Sequence, residues 1–327
     1  MRLVTVTPAG RRPYLEILAN YLLRRRDVIS EHRWWLNTRR PEDLAYIYRL
    51  VDRYPDFFRV EAKPVGPLDR IGYSIWRYMC DCTEPDTIYI RLDDDICYIS
   101  EDALVQLRDE RLRQREPLLI LGNIVNNAVC SHFHQQAGLL PKSWGVVANE
   151  CCDQRGWGSG AFARRVHSRF LKDLVNGREI WWKQAKFPID GTARFSINAI
   201  CWFGEDFQGV PEVESRIADE EPFLTCDLPK RLSRPDLVCP QALFSHYAFY
   251  TQRRYLKTTS PDILARYCRI SQRPVISKDD GLPFWERSML TTQRMWGMSE
   301  WSARQAVIGF GQAYRRGRSW IQERRAA

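Results

Sequence analysis

Strand-like and helix-like segments alternate through the first 125 residues, and this alternation limits the possible folds more than any other feature of the chain. Short apolar runs predict strands at 3–7, 33–37, 57–62, 87–92 and 118–123. Stretches with apolar residues every three or four positions predict helices at 14–26, 44–51, 69–82 and 101–113. A repeated strand–helix order is typical of a parallel sheet covered by helices, so the sequence predicts an α/β fold.

The second half of the chain is less regular. A strand is predicted at 193–204, an acidic segment follows at 217–228, and residues 256–327 show mixed helical patterns. We therefore predict one domain over 1–255, with halves 1–125 and 126–255, followed by a C-terminal helical extension over 256–327. With 327 residues, 44% of them hydrophobic, the chain can bury a sizeable core.

The N-terminal residues enter a predicted strand without the apolar region of a secretory signal, and no run of about eighteen apolar residues predicts a membrane span. Ten cysteines in such a chain are typical of reduced thiols, so we expect a cytoplasmic protein. The formal net charge is +9. If the basic residues at 11–12, 24–26, 39–40 and in the tail 314–327 share a surface, that surface would favour phosphates, nucleic acid or an acidic membrane. Spread evenly, they would only aid solubility.

Three consecutive aspartates, Asp93–Asp95, follow the predicted strand at 87–92, and an apolar run resumes directly after them in "TIYIRLDDDICYIS". If the strand continues, Asp93 and Asp95 point to the same side, whereas no role follows for Asp94. Two carboxylates on one side can share Mg²⁺ or Mn²⁺, which leaves further coordination positions for phosphates and water. The alternative is an acidic turn that ends a strand in solvent.

A second polar motif, "TPAGRR", directly follows the first predicted strand. Ligands of doubly wound sheets bind just beyond the carboxyl ends of the strands, so this motif and the aspartates should meet in one crevice. Gly10 allows close approach of the backbone, and Arg11 has the forked geometry that suits a phosphate group. An ordinary turn with a surface arginine is the alternative.

These motifs resemble those of nucleotide-sugar-dependent glycosyltransferases with the GT-A fold. "YIRLDDDI" at a strand end resembles the DxD motif of that family, and "VTVTPAGRRPYLEILANYL" is similar to its first strand, nucleotide-facing turn and first helix. The resemblance covers roughly residues 3–255. It implies a Rossmann-like mixed sheet flanked by helices, with residues 1–125 as the nucleotide-binding half and 126–255 as the acceptor half.

The resemblance also implies a metal-dependent enzyme that uses Mn²⁺ or Mg²⁺. Such an enzyme would transfer a sugar from a nucleotide-diphosphate sugar, with a UDP-sugar as the first expectation, to an acceptor hydroxyl. The metal ligands would be Asp93, Asp95 and His246, the last in "LFSHYAFY"; a buried core histidine is the alternative for His246. Nucleotide-binding residues would be Thr7, Pro8, Gly10, Arg11, Asn37, Thr38, Asp93 and Asp94. Asn37 or Thr38 stands where the family often has an acid that reads the base.

An acidic segment of the family's kind, ahead of a helix, would supply the general base for the attacking hydroxyl. "ADEEPFL" offers Glu221 as the first choice, with Glu220 and Asp219 close behind. For each of them, an acidic residue that merely stabilises a helix N-terminus is the alternative. His132 and His134 could be metal ligands, but a polar acceptor-facing loop explains "NIVNNAVCSHFHQQ" more economically.

Two other functions stay open. A nucleotidyltransferase would share the fold and the metal, but its glycine-rich signature with a lysine is absent from "TPAGRRPYL". A non-catalytic sugar-nucleotide-binding module would have no need for the full set of clustered acids. The acceptor also stays open between a glycan, a protein and modified DNA, the last suggested by the basic tail and the aromatic-rich second half.

Overall fold

The structure is a computed structural model of the 327-residue chain, and it describes residues 1–63, 75–210 and 220–272, together with Met295, Gly297 and Met298. Within these ranges, eight strands form one mixed sheet with the order β3-β2-β1-β4-β7-β6-β8-β5. The strands are β1 (Arg2–Ala9), β2 (Glu31–Leu36), β3 (Phe58–Glu61), β4 (Thr87–Leu92), β5 (Ile96–Ile99), β6 (Ile120–Val125), β7 (Ala199–Phe203) and β8 (Leu237–His246).

Helices flank this sheet. They are α1 (Arg12–Arg24), α2 (Pro41–Arg53), α3 (Ile75–Met79), α4 (Ala103–Arg113), α5 (Ala128–Gln136), α6 (Gly160–Val175), α7 (Glu179–Lys183), α8 (Glu220–Pro222), α9 (Leu228–Leu232), α10 (Tyr250–Thr259) and α11 (Pro261–Ser271). A π-helical turn, Phe223–Asp227, joins α8 to α9. The predicted α/β class, a Rossmann-like mixed sheet of the GT-A type flanked by helices, is confirmed.

The first half has the predicted parallel arrangement. β1 pairs in parallel with β2 on one side and with β4 on the other, and β2 pairs in parallel with β3. The chain therefore builds outward from β1 to β3 and then returns to the other side of β1. The boundary between β1 and β4 is a topological switch point, where the carboxyl ends of the strands leave a crevice.

The second half makes the sheet mixed. β7 is antiparallel to both β4 and β6, β6 is parallel to β8, and β5 is antiparallel to β8. The four-residue β5 is not among the predicted strands, because its continuous apolar sequence is short and lies only three residues beyond β4. The strand predicted at 193–204 is confirmed only for its second half, Ala199–Phe203.

Large aromatic side chains fill the core on both sides of the sheet. Trp34 and Trp35 of β2 are fully buried, and Trp35 stacks on Tyr78 with ring centroids 5.5 Å apart. Cys97 and Cys201 are buried, and the ten cysteines, all of which lie in the described ranges, are free thiols, as predicted.

No helix within the described part of the chain combines the length and the apolar character needed to cross a bilayer.

The predicted division into 1–255 and 256–327 stays a prediction. Helices α10 and α11 pack against each other, against α6 and, for α11, against α1. Most of the predicted helical extension, including the basic tail 314–327, lies outside the described residues.

Candidate active site

The two polar motifs meet at the switch point between β1 and β4. The backbone N–H of Gly10 donates to Asp94 Oδ2 at 3.2 Å, and Arg11 Nε donates to the same oxygen at 2.9 Å. A second guanidinium nitrogen of Arg11 pairs with Asp94 Oδ1. Asp94, one of the predicted nucleotide-binding residues, therefore joins the turn after β1 to the turn after β4, and its role in binding stays a prediction.

Residues Asp93–Asp95 connect β4 to β5, and we call them the aspartate turn. This turn separates the three aspartate side chains. β4 ends at Leu92 and β5 begins at Ile96, so the strand does not continue through the aspartates and the alternation that would have paired Asp93 with Asp95 does not apply. Asp94 and Asp95 instead share Arg11, whose Nη1 lies 3.2 Å from Asp95 Oδ2. Asp93 has a different set of partners.

Asp95 is the most enclosed of the three and contacts two arginines and a histidine. Besides Arg11, Arg253 Nη2 lies 3.2 Å from Asp95 Oδ2 and His246 Nε2 lies 3.2 Å from Asp95 Oδ1. Burial alone would raise the pKa of Asp95, but the charges of Arg11, His246 and Arg253 outweigh burial and lower that pKa. Asp95 is therefore ionised at neutral pH.

His246 is positioned by β8 and by the end of β6. Residues Ile96 and His246 are register partners of β5 and β8, which places the ring next to the aspartate turn. His246 Nδ1 donates to the backbone oxygen of Asn126 at 3.3 Å, leaving Nε2 directed at Asp95. Burial would lower the pKa of His246, but the Asp95 carboxylate and its hydrogen bond raise it above the ordinary value.

Asn126 holds this corner together. It adopts a left-handed backbone conformation with φ of 64°, which the structure tolerates because Asn visits this region more readily than most residues. Its Nδ2 donates to the oxygen of Tyr247 and to Gln252 Oε1, both at 3.0 Å. Gln252 Nε2 donates in turn to Gly156 O at 2.9 Å, so the start of α10 is fixed beside His246.

Asp93 is bound on the opposite side of the turn. Arg91 Nη2 lies 3.2 Å from Asp93 Oδ1 and 3.1 Å from Glu220 Oε1, so one buried guanidinium joins the two carboxylates. Asn198 Nδ2 donates to Asp93 Oδ2 at 3.0 Å. Burial would lower the pKa of Arg91, but the charges of Asp93 and Glu220 raise it, and the guanidinium stays charged.

The acidic segment therefore approaches the aspartates through Glu220. Glu221, the first choice for a general base, has other partners: Arg194 Nε donates to Glu221 Oε1 at 2.8 Å and Cys151 Sγ donates to the same oxygen at 3.2 Å. Asp219 lies outside the described residues. The roles predicted for these three acids stay predictions.

The predicted nucleoside-side residues line the ends of β1 and β2. Thr7 and Pro8 are buried in β1, and the N–H of Asn37 donates to Ala9 O at 3.0 Å. Thr38 Oγ1 donates to Asp43 Oδ2 at 3.1 Å, and Asp43 Oδ1 accepts from the N–H of Arg12 at 2.9 Å. Asp43, at the start of α2, is buried and connects Thr38 to the backbone of Arg12.

His132 and His134 belong to α5 and contact other parts of the fold. His134 is buried and its Nε2 donates to Asn123 Oδ1 at 2.9 Å, while His132 Nδ1 donates to Val147 O at 2.8 Å. Burial lowers the pKa of His134 to about 3, so its ring is neutral at physiological pH. Both side chains anchor α5 in the structure.

We call the side chains at this edge the carboxyl-end cluster: Arg11, Arg91, Asp93, Asp94, Asp95, Glu220, His246 and Arg253. Within the described ranges, no group of three or more His, Cys, Asp or Glu side chains is arranged to hold a metal ion. Of the three predicted metal ligands, Asp95 and His246 contact each other, and Asp93 is directed to Arg91 and Asn198. The metal set stays a prediction.

Sequence reasoning missed several members of this site. Arg91 stands two residues before Asp93, and a charged residue inside an otherwise apolar strand was a signal for it. Asn198 precedes a strand and had no such signal. Arg253 lies 158 residues from Asp95 on an arginine-rich helix, where the sequence does not distinguish it from its neighbour Arg254.

Comparisons with known proteins do not identify a family for this chain. No family model matches the chain, and no curated protein matches it. Among solved structures, the chain is similar to a 4-diphosphocytidyl-2C-methyl-D-erythritol synthase from Anaerococcus prevotii, with 10% sequence identity and a TM-score of 0.41. The similarity covers 84% of this chain and 99% of that one. The function of the site is therefore argued from its own contacts.

Proposed function

We propose that this protein is a metal-dependent glycosyltransferase that moves a sugar from a nucleotide-diphosphate sugar to an acceptor hydroxyl. The observation that carries the proposal is the contact of Asp95 Oδ1 with His246 Nε2 at 3.2 Å. It joins the last acid of the aspartate turn to the end of β8, at the switch point where α/β sheets bind their ligands. A carboxylate of the turn between β4 and β5 and an imidazole of β8 are thereby brought to one point.

The donor atoms suit Mn²⁺ or Mg²⁺. Carboxylate oxygen is a ligand that both ions accept, and imidazole is one that Mn²⁺ also accepts. The hydrogen bond from His246 Nδ1 to Asn126 O orients the ring, in the way that a carbonyl oxygen bonded to the other ring nitrogen orients a metal-bound histidine. Asp95 and His246 would hold the ion, with Asp93 as the third predicted ligand. Such an ion would stabilise negative charge on the departing diphosphate as a Lewis acid.

The chain supplies its own cationic groups for the diphosphate. Arg11 is 30% exposed and presents a fork of N–H donors at the end of β1, next to the backbone N–H of Gly10. A phosphate group takes such donors readily, and charge-assisted bonds of this kind are the strong ones. Thr7, Pro8, Asn37 and Thr38 would contact the nucleoside in the adjoining part of the crevice.

A carboxylate would receive the proton of the attacking hydroxyl. Glu220 is held next to Asp93 by Arg91, and Glu221 is held by Arg194 and Cys151. Glu221 remains our first choice because its side chain is the more exposed of the two, at 17% against 11%. Glu221→Gln should then lower kcat far more than KM, and the same change at Glu220 should act through Asp93 and raise the KM for the donor.

The test is a panel of nucleotide sugars with Mn²⁺ or Mg²⁺, in which release of nucleoside diphosphate is measured. Asp95→Asn should reduce the rate roughly a hundredfold or more, since it removes one negative charge at the reacting centre. Asp52→Asn, at an exposed acid of α2, is the matched control and should keep the wild-type rate.

Three results would decide against the proposal. The first is an absence of nucleoside diphosphate release from every donor, and the second is an Asp95→Asn variant as active as the control. The third is release of pyrophosphate from nucleoside triphosphates in place of sugar transfer, which would favour a nucleotidyltransferase. A glycan, a protein and a modified DNA offered as acceptors in parallel would identify the acceptor class.

A further inference from the structure

Cationic side chains crowd around the entrance to Asp95. Arg11 Nη1 and Arg253 Nη2 each lie 3.2 Å from Asp95 Oδ2. The ring of Tyr14 lies beneath Arg11 Cζ at 5.4 Å from its centroid and near Lys257 Nζ at 6.0 Å. Arg253 and Lys257 both belong to α10, one turn apart, so α10 contributes two cations to the point that Arg11 reaches from the start of α1.

The charges of this edge are divided between its two sides. The cationic side chains of Arg11, Arg253 and Lys257 lie on the side of Asp94 and Asp95, whereas Asp93 and Glu220 lie on the other side around Arg91. Like charges held close together are unfavourable in a partly buried site, and the pKa of Lys257 is lowered by burial and by Arg253 and Arg11. Cationic side chains grouped on one side of a crevice favour an anionic ligand there.

Asp95 is buried, and the arginine side chains around it are more exposed. The Asp95 side chain is only 1% exposed, whereas those of Arg11 and Arg253 are 30% and 26% exposed. The two guanidinium groups therefore lie between Asp95 and solvent. An anion arriving from solvent meets the guanidinium groups first, and a cation arriving from solvent must displace them to reach Asp95.

We propose that Arg253 binds the phosphate groups of the ligand. In the protein without ligand, Arg253 instead pairs with the Asp95 carboxylate, at the position that a divalent cation would take. This inference rests on the proposed function, because it concerns how the same site takes a diphosphate and a metal ion. Binding of a diphosphate draws Arg253 and Arg11 from Asp95 to the phosphate oxygens. The Asp95 carboxylate is then free for a divalent cation.

The position of Arg253 suits this exchange. Its neighbour Gln252 anchors the start of α10 through Asn126 and Gly156, so the helix backbone stays fixed while the arginine side chain moves. Arg253 Nη2 also donates to Ala248 O at 3.0 Å. Guanidinium groups bind phosphate through paired N–H donors, and the divalent cation that then reaches Asp95 would replace the positive charge that the two arginines take away.

One substitution should therefore have opposite effects on two ligands that are titrated separately. Inorganic pyrophosphate should bind Arg253→Met about tenfold more weakly than it binds the wild type, because one charge-assisted contact is lost. Mn²⁺ alone should bind the same variant about threefold to tenfold more tightly, because one competing cation has left Asp95. Calorimetry measures the first affinity, and loss of the electron paramagnetic resonance signal of free Mn²⁺ measures the second.

Arg254→Met is the matched control, since Arg254 is an exposed arginine at the next position of the same helix. It should leave both affinities at wild-type values. Arg253→Gln repeats the test with a smaller, polar side chain and covers the case in which the methionine variant fails to fold, and circular dichroism checks both.

The proposal is overturned if pyrophosphate binds Arg253→Met and Arg254→Met equally, or if Mn²⁺ affinity does not rise in the Arg253 variants. The result is separable from the proposed activity. A protein that shows both shifts and transfers no sugar keeps the exchange and loses the glycosyltransferase proposal. A protein that transfers sugar and shows neither shift loses only the exchange.

Discussion

Buried charges lie at both ends of the same strands, and the two ends pair them differently. In the carboxyl-end cluster the partners are mostly side chains of opposite charge, as for Asp95 with Arg253 and His246. At the amino ends of β6 and β8 the partners are mostly backbone groups. We call this second set the amino-end cluster: Arg111, Asp206, Arg234 and Asp236. Arg111 is fully buried and donates to the carbonyl oxygens of Gln114, Pro117 and Leu118.

This difference separates binding groups from fastening groups. A side chain bound to another side chain can change partner when a ligand arrives, because only rotamers have to move. A side chain bound to several carbonyl oxygens holds the backbone in place, as Arg234 does through the oxygens of Arg115, Glu116 and Pro117. We expect substitutions in the carboxyl-end cluster to change ligand binding and those in the amino-end cluster to change stability.

The largest effect on stability should follow from Arg111→Met. The change takes this donor from the carbonyl oxygens of Gln114, Pro117 and Leu118, of which Pro117 keeps its bond from Arg234. Each buried acceptor that is left unpaired costs about 1–3 kcal/mol. Urea denaturation should show this decrease in the free energy of unfolding. Arg113→Met, at an exposed arginine at the end of the same helix, should leave the free energy unchanged. A small effect of Arg111→Met would mean that the amino-end cluster does not fasten the fold.

The sharpest test of the comparison is the same substitution at each end. Arg11 and Arg234 are similarly exposed, at 30% and 26%. Arg11→Met should lower the transferase rate about a hundredfold, since it removes a donor to the developing charge. The buried Asp94 carboxylate also loses its guanidinium partner and keeps the N–H of Gly10, so part of the stability is lost as well. Arg234→Met should lower the free energy of unfolding by about 2 kcal/mol and leave the activity of the folded fraction unchanged.

Activity and unfolding are measured on both variants, so each serves as the control for the other. If Arg234→Met abolished activity while the protein stayed folded, the separation into binding and fastening groups would be wrong. If Arg11→Met unfolded the protein, Arg11 would have to be counted among the fastening groups.

Buried histidines extend the comparison to pH. His134 and His167 contact neutral groups, and burial lowers their pKa values to about 3 and about 4. The unfolded chain therefore binds more protons between these values and the ordinary pKa of about 6.5, and stability falls as the pH drops through that range. Each histidine should lower the free energy of unfolding by about 2 kcal/mol between pH 7.5 and pH 5.

Denaturation midpoints at the two pH values measure this loss. In His134→Gln, the part of the pH-dependent loss that comes from His134 should be absent. His246 should behave in the opposite way, because Asp95 raises its pKa. Its contribution to stability is present at low pH and is lost as the pH rises through the raised pKa. His246→Gln should therefore lower the free energy of unfolding more at pH 5 than at pH 7.5. Equal behaviour of His134 and His246 would show that Asp95 does not raise the pKa of His246.

Most of the fold follows from local pattern. Strands buried on both faces read as continuous apolar runs, so β4 was predicted at Thr87–Leu92, its observed bounds. The parallel arrangement of β1 to β4 was predicted from the intervening helices, whereas their order in the sheet was not predicted. β5 was missed because four apolar residues after a turn do not specify a strand. The partners of β5 and β7 depend on contacts between distant segments, which local periodicity does not encode.

The sequence predicted where in the fold the candidate site lies, but it predicted fewer of the contacts within the site. The strand ends after β1 and β4 indicated the crevice, because parallel strands end at one edge. The pairing of Asp94 with Arg11 joins residues 83 positions apart, and neither residue type specifies the other. The same limit applies to Arg253, which only the packing of α10 brings to Asp95.

The smallest effect should come from the backbone of the carboxyl-end cluster. A Cβ atom at Gly10 would lie 2.9 Å from Asn37 O and 3.6 Å from Asp94 Oδ2, so Gly10→Ala must push apart the ends of β1 and β2. We expect a loss of about 1 kcal/mol in the free energy of unfolding and a several-fold higher KM for the donor, with kcat nearly unchanged. Steady-state kinetics at varied donor concentrations measure kcat and the KM for the donor. A lower kcat at constant KM would instead place Gly10 next to the reacting atoms and away from the nucleotide. The binding groups would then extend beyond the aspartate turn.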